Sequence, residues 1–208
     1  MTGTAAGTAW LVQHDAVFAA LVARHGPCRF GPRPRIDERF TTLAQAICYQ
    51  QLAGRAAATI WGRVRLAVGE PFTPEAVLAT GEEQLRAAGL SRAKMLSILD
   101  LAAHVDHGGL DLRHLGRLDD EAVIAGLVHV RGIGRWTAEM FCISALHRLD
   151  IWPVSDLGVR HGYANAHGMA ALPSPAELHE LGAHLRPFRS IAAWYCWRAS
   201  EAARAAGE

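Results

Sequence analysis

The chain has 208 residues, half of them apolar, and a formal net charge of +1. That length suits one or two compact domains, and no apolar run approaches the roughly 18 residues of a membrane span, so no membrane partner is expected. A charge this close to zero also excludes a broad electrostatic footprint on nucleic acid. Any DNA binding would have to rest on backbone amides and a local arginine patch.

The opening residues, MTGTAAGTAW, lack a basic segment followed by a long apolar one and do not read as a secretion signal. Cys28, Cys48, Cys142 and Cys196 are scattered with no CxxC pair, which argues against zinc or a disulfide scaffold and fits a reducing cytosol. Residues 8 to 25 place Trp10, Leu11, Val17, Phe18, Leu21 and Val22 at mostly three- and four-residue spacings, which predicts one amphipathic helix. GPCRFGPRPR, residues 26 to 35, is a Pro/Gly-broken linker whose arginines read as solvated. From Asp37 the pattern is helical through Phe40, Leu43, Ala44, Ile47 and Cys48 to Gln51. After Ala53-Gly54 another helix runs to about Val68, with Ala57, Ile60, Trp61 and Val64 on one face, and Trp61 reads as core.

Residues 70 to 120 read as short helices joined by turns at Thr73-Pro74, Gly89 and Gly108-Gly109, with Ser91 as the N-cap of a helix holding Met95, Ile98, Leu99 and Ala102. His104 and His107, three residues apart, could share a face but have no third ligand at useful spacing, so they read as a surface pair. Asp119-Asp120-Glu121 opens the next helix, acids lying where the helix dipole favours them.

Residues 128 to 160 carry the densest pattern. A hydrophobic-x-hydrophobic-x-Gly-hydrophobic-Gly turn, Val128 to Gly134, precedes a helix-competent run from Arg135 to about Leu146. Gly132 and Gly134 permit positive φ and carry no Cβ, so a phosphate can approach the backbone amides. Those amides precede a helix N-terminus, where N–H groups and the macrodipole favour an anion, and Arg131 and Arg135 add positive charge. Past Pro153, Asp156 is a lone carboxylate at the start of another helical segment. Beside DNA an acid is electrostatically out of place unless it does chemistry, although Asp is also a favoured N-cap. Asp150, Glu139 and Asp119 have no comparable setting and read as surface charges. Beyond Arg160, Gly168 and Pro173 separate a short helix from two more, the last running from about Pro187 to Ala205. No convincing period-2 strand occurs, and the fold class is all-α.

Gly132-Ile133-Gly134 with Thr137-Ala138, and Trp152 to Arg160 around Pro153 and Asp156, strongly resemble the helix-hairpin-helix plus Gly/Pro/Asp signature of the DNA glycosylase superfamily. Three further patches resemble its 3-methyladenine DNA glycosylase II family: Ala46 to Leu52 followed by Ala56 to Ile60, Gly89 to Lys94, and Arg186 to Trp197. The resemblance covers roughly residues 36 to 200 and is to a compact form without the N-terminal β-rich domain of some relatives. It implies two helical subdomains with the active-site cleft between them. Residues 36–155 would form one, with the hairpin at about 121–146, and residues 1–35 plus 156–208 the other.

The activity this resemblance implies is that of a monofunctional DNA glycosylase. Such an enzyme flips out alkylated bases of the 3-methyladenine or 7-methylguanine type, hydrolyses the N-glycosidic bond and initiates base excision repair. Asp156 aligns with the catalytic carboxylate. Trp136, Trp197 and Tyr49 are candidate walls of the base pocket, core packing being the alternative. Gln51 and Leu52 match the region that plugs the gap left by the flipped base, a buried Leu52 being the alternative. Gly132 and Gly134, with Arg131 and Arg135, would hold the DNA backbone, and the carbonyls of Val128, Val130 and Ile133 a monovalent K+ or Na+.

Bifunctional relatives carry a Schiff-base lysine where this chain has Trp136, so no lyase activity is expected; Lys94, the sole lysine, lies in a different motif. No cofactor is required, and the closely spaced cysteines of iron–sulfur branches have no counterpart. The expected partner is double-stranded DNA containing damaged bases, and the expected protein a monomer, cytoplasmic and bacterial in type, on the nucleoid when bound to DNA. Two rival readings remain: a non-catalytic helix-hairpin-helix DNA-binding module, and a glycosylase for uracil or mismatched bases.

Overall fold

The structure, a computed structural model, describes residues 3–207. Every regular element among them is helical: α1 (Thr4–His14), α2 (Ala16–His25), α3 (Arg39–Tyr49), α4 (Gly54–Val68), α5 (Pro74–Ala87), α6 (Arg92–Asp106), α7 (Asp120–Val128), α8 (Arg135–Ser144), α9 (Leu157–Ala166), α10 (Pro175–Leu181) and α11 (Arg189–Gly207), with short 3-10 turns at Ile36–Glu38, Leu115–Arg117 and Ala183–Leu185. The all-α expectation holds. The single helix expected over residues 8 to 25 does not, because Asp15 adopts an extended conformation and its Oδ1 accepts the backbone N–H groups of Val17 and Phe18. The extended backbone ends α1 and the carboxylate caps α2. The apolar spacing runs on through the break.

The chain divides into two compact units, Pro34–Phe141 in the middle and a second built from both ends, up to Arg33 and from Cys142 onward. In the middle unit α5 packs on α6, and α3 on α4 and α6. Phe40, Leu43, Ile47, Val64, Val77, Leu85, Ile98, Leu101 and Leu127 are buried there, each contributing about 1.5–3 kcal/mol of apolar transfer energy. Trp61 belongs to this core as expected, its ring 5.1 Å from Phe72.

In the terminal unit α9 lies along α11, and α1 and α2 pack on α11 around Leu11, Phe18, Tyr163, Ile191 and Tyr195. Gly162 sets the approach of α9 to α11, since a Cβ there would overlap the carbonyl of Cys196. Residues 142–155, expected with the middle of the chain, fall in this unit. Ser190 explains part of that: its N–H donates to Leu149 O at 3.0 Å, and its hydroxyl accepts the Ile151 N–H at 2.8 Å.

Candidate active site

Asp156 is positioned by the chain on both sides of it. Upstream, Asp150 is clasped by Arg189, Nε to Oδ1 at 2.8 Å and Nη2 to Oδ2 at 2.9 Å, and by Arg186 at 3.0 Å. Asp150 is therefore a structural anchor, not the surface charge expected from sequence. Trp152 is buried and donates its indole N–H to Leu178 O at 2.8 Å. The chain then turns through Pro153, whose carbonyl accepts the Asp156 N–H at 2.9 Å. Asp156 itself is the N-cap of α9, its Oδ1 accepting the Val159 N–H at 2.8 Å.

The same Oδ1 accepts the indole N–H of Trp197 at 2.9 Å. Two donors on one oxygen hold the carboxylate in place although it is only 9% exposed. Burying a charge is costly unless it is hydrogen-bonded. Trp197 reaches it because Gly158 and Gly162, four residues apart on one face of α9, let α11 come close; a Cβ on Gly158 would sit 2.9 Å from Trp197 Cδ1 and 3.1 Å from Asp156 Oδ1. The neighbouring Cys196 thiol has its pKa raised by burial first and by the Asp156 charge second, so it stays protonated and is no competing nucleophile.

The hairpin belongs to the middle unit. Val130 and Ile133 point into its core, and the Ile133 N–H closes the turn on Val130 O at 3.0 Å. Gly132 has a φ of 77°, and a Cβ there would overlap Ser97 Oγ. Gly134 departs from expectation: it is not in the positive-φ region, and a Cβ there would meet nothing within 4 Å. Its carbonyl accepts the Ala138 N–H and so begins α8, leaving open space at that helix N-terminus. The turn demands glycine at 132; at 134 glycine leaves room.

Arg135 is less available to a phosphate than expected. Its guanidinium pairs with both oxygens of Glu121, at 2.6 and 3.0 Å, and with Glu139 at 2.9 Å. Glu121, and then Glu139, hold its proton more tightly than usual. Glu139 is only 3% exposed, so it too is no surface charge. Asp119 does lie at the surface, capping α7 through the Ala122 N–H. Arg131 is exposed, and its backbone N–H donates to Asp100 Oδ2 at 2.7 Å. Trp136, in the first turn of α8, is 47% exposed. His104 turns to Asp100 and His107 to Asp106, so the two do not converge on a shared ligand.

The candidate plug is a tight turn after α3. The Leu52 N–H donates to Tyr49 O at 3.3 Å, and Gln51 sits in the left-handed region at φ 54°. A non-glycine residue rarely adopts that region without support. Gln51 is exposed and Leu52 is 38% exposed, which excludes a buried Leu52, while Tyr49 is half-buried. Gln50 lies in the Ala46 to Leu52 patch but had no role assigned from sequence. Its side-chain Nε2 donates to Gly132 O at 3.0 Å and to Thr137 Oγ1 at 3.4 Å, tying the plug turn to the hairpin. Asp156 and Trp197 are thus in direct contact in the terminal unit; Gly132 of the hairpin and the turn after α3 are joined in the middle one.

A family model described as HhH-GPD superfamily base excision DNA repair protein matches residues 44–187. The chain belongs to this superfamily. It is 34% identical over 169 residues to DNA-3-methyladenine glycosylase 1 of Schizosaccharomyces pombe, spanning 80% of this chain and 74% of that protein. The solved structure of the 3-methyladenine DNA glycosylase of that yeast in complex with abasic DNA matches with a TM-score of 0.79 at 30% identity, over 94% of this chain and 96% of that one. A DNA-3-methyladenine glycosidase from Bacillus halodurans matches with a TM-score of 0.84 at 32% identity, over 94% and 88% of the two chains.

For a member of the HhH-GPD superfamily, the residues missed from sequence are those that support the signature. Gly158 and Gly162 form a GxxxG that starts two residues after Asp156, a spacing that signals close helix packing and was legible. Gln50 falls in the Ala46 to Leu52 patch, but nothing local signals its role, because its partners lie 82 and 87 residues away.

Proposed function

We propose that this chain is a DNA glycosylase that releases alkylated bases of the 3-methyladenine and 7-methylguanine type and so opens base excision repair. The observation that carries the reading is Asp156: a nearly buried carboxylate held by Val159 and Trp197, in a chain of a base excision repair superfamily. An alkylated purine nucleoside is cationic, so the base departs with the N-glycosidic electron pair as a neutral molecule. Positive charge then develops on the sugar around C1′. A fixed carboxylate stabilises that charge and can take the proton of the water that adds to C1′. The face of an exposed tryptophan such as Trp136 attracts the cationic base by cation–π contact, about 0.5–2 kcal/mol.

Extrusion of the nucleotide costs a few kcal/mol, least at a lesion. Gln51 or Leu52, exposed on their turn, would fill the gap. The backbone amides beside Gly134, where a Cβ would meet nothing within 4 Å, would take a backbone phosphate, a contact that positions without reading sequence. The Val130 carbonyl, already an acceptor for Ile133, retains a second lone pair; with the carbonyls of Val128 and Ile133 it would suit K+ or Na+ facing that phosphate. We read the enzyme as a cytoplasmic monomer acting on double-stranded DNA.

We also read it as monofunctional. β-Elimination needs an amine that forms an imine at C1′, and the motif position for it is Trp136. Lys94 is engaged elsewhere, its Nζ donating to Cys48 O at 2.8 Å.

Incubation with methylated duplex, beside uracil-containing and mismatched duplexes, tests the whole reading. The expected result is release of methylated bases, an abasic strand that breaks only after alkali or heat, and no borohydride-trapped adduct. Preferential release of uracil would replace the substrate. Release from none of the duplexes would leave only a DNA-binding module, and an adduct lost in Lys94→Ala would overturn the monofunctional assignment.

A further inference from the structure

We propose that Gln50 is a positioning residue that couples the plug turn to the hairpin, so that gripping the DNA backbone and extruding the base occur as one event. The proposal rests on the reading above, in which the hairpin holds phosphate and Gln51 or Leu52 fills the gap. A single amide touches both sides of the glycine turn, Gly132 O before it and Thr137 Oγ1 in the first turn of α8. The next residue, Gln51, is the one in the left-handed conformation. A side chain bonded to the hairpin thus stands directly before the strained position from which insertion would occur.

Helix α6 backs both turns with residues spaced three apart. Lys94 holds Cys48 O in the last turn of α3, Ser97 fills the space beneath Gly132, and Asp100 Oδ2 accepts the Arg131 N–H at 2.7 Å. The hairpin therefore has two supports of its own, Ser97 and Asp100. The plug turn has Lys94 behind it and Gln50 across to the hairpin. Removing the Gln50 bond should leave the hairpin amides where they are and loosen the plug turn. Its function then separates from simple stability, because one DNA contact is lost while the other stays.

The full chain carrying Gln50→Met, similar in shape but without the donor, or Gln50→Glu, whose carboxylate would face the Gly132 carbonyl, tests this. Affinity is measured for an undamaged duplex and for the same duplex with a tetrahydrofuran abasic analogue. Extrusion is followed by 2-aminopurine fluorescence. Affinity for undamaged duplex should stay within about twofold of wild type, while preference for the abasic duplex falls roughly three- to tenfold, as loss of one hydrogen bond allows. Gln50→Glu should be the more affected, with a weaker 2-aminopurine signal. Wild-type preference in both variants would overturn the coupling, as would an equal loss on both duplexes with a lowered Tm. A wild-type protein without preference for the abasic duplex would instead sink the underlying reading of the site, and this proposal with it.

Discussion

Helices α8 and α9 begin with the same physical problem and solve it in opposite ways. Each N-terminus has N–H groups that no carbonyl of its own helix can accept, and the positive end of a helix dipole. At α9 the chain supplies its own anion, Asp156, bonded to Val159 and to Trp197 and largely withdrawn from solvent. At α8 it supplies Gly134, with no side chain and open space where a Cβ would lie. One end is filled from within, as the proposed chemistry requires; the other has room beside it, as the proposed anchoring requires. The residue at the N-cap decides between them.

Asp156→Asn strikes the filled end hardest. Asparagine is also a good N-cap, so the fold should survive while the charge is lost. Base release should fall by about 10²–10⁴-fold, the range of a general acid or base, with Tm unchanged. Turnover within about tenfold of wild type, roughly 1.4 kcal/mol on the barrier, would remove Asp156 from the chemistry. Trp197→Phe keeps an aromatic ring and deletes the N–H donor. A hydrogen bond to a charged group is worth about 1.5–3 kcal/mol, so single-turnover release should slow at least about tenfold with abasic-duplex affinity retained. Weaker affinity at an unchanged rate would make Trp197 a pocket wall and no positioning group.

The scaffold beneath that end is tested by Gly162→Ala, which forces a methyl group into the Cys196 carbonyl. Urea unfolding should show a loss of about 1–3 kcal/mol or more, typical of overpacking; unchanged stability would mean that α9 and α11 are not in close contact. The hairpin glycines should separate from each other. Gly132→Ala should cost about 1–2 kcal/mol of stability through its left-handed φ. Gly134→Ala, whose methyl group has room, should cost less in the same unfolding experiment, no more than about 1 kcal/mol as a poorer N-cap.

What was legible in the sequence was local. Ser91 was recognisable as a cap because an N-cap is judged within three residues, and it accepts the expected Lys94 N–H. The hairpin and Asp156 stood out through glycine, proline and an isolated acid at short spacing. What escaped was decided by partners far along the chain. The role of Gln50 depends on Gly132, that of Asp150 on Arg189, and the burial of Glu139 on the core around it. The break at Asp15 was hidden for another reason: apolar spacing of three and four continues across it, and only the side-chain bonds to Val17 and Phe18 reveal the stop. Gly132 and Gly134 looked equivalent because a glycine records permission for a backbone conformation, not its use.

The contrast between the two helix ends can be tested in a single titration. Single-turnover base release from a methylated duplex, measured against enzyme concentration for wild type, Asp156→Asn and Gly134→Ala, separates the maximal rate from the half-saturating concentration. Asp156→Asn should lose the rate and keep the half-saturation point. Gly134→Ala should keep the rate and raise the half-saturation point, with affinity for undamaged duplex weakened to the same degree. If both variants lost only rate, or both only affinity, the two ends would not divide chemistry from anchoring, and the account would be wrong.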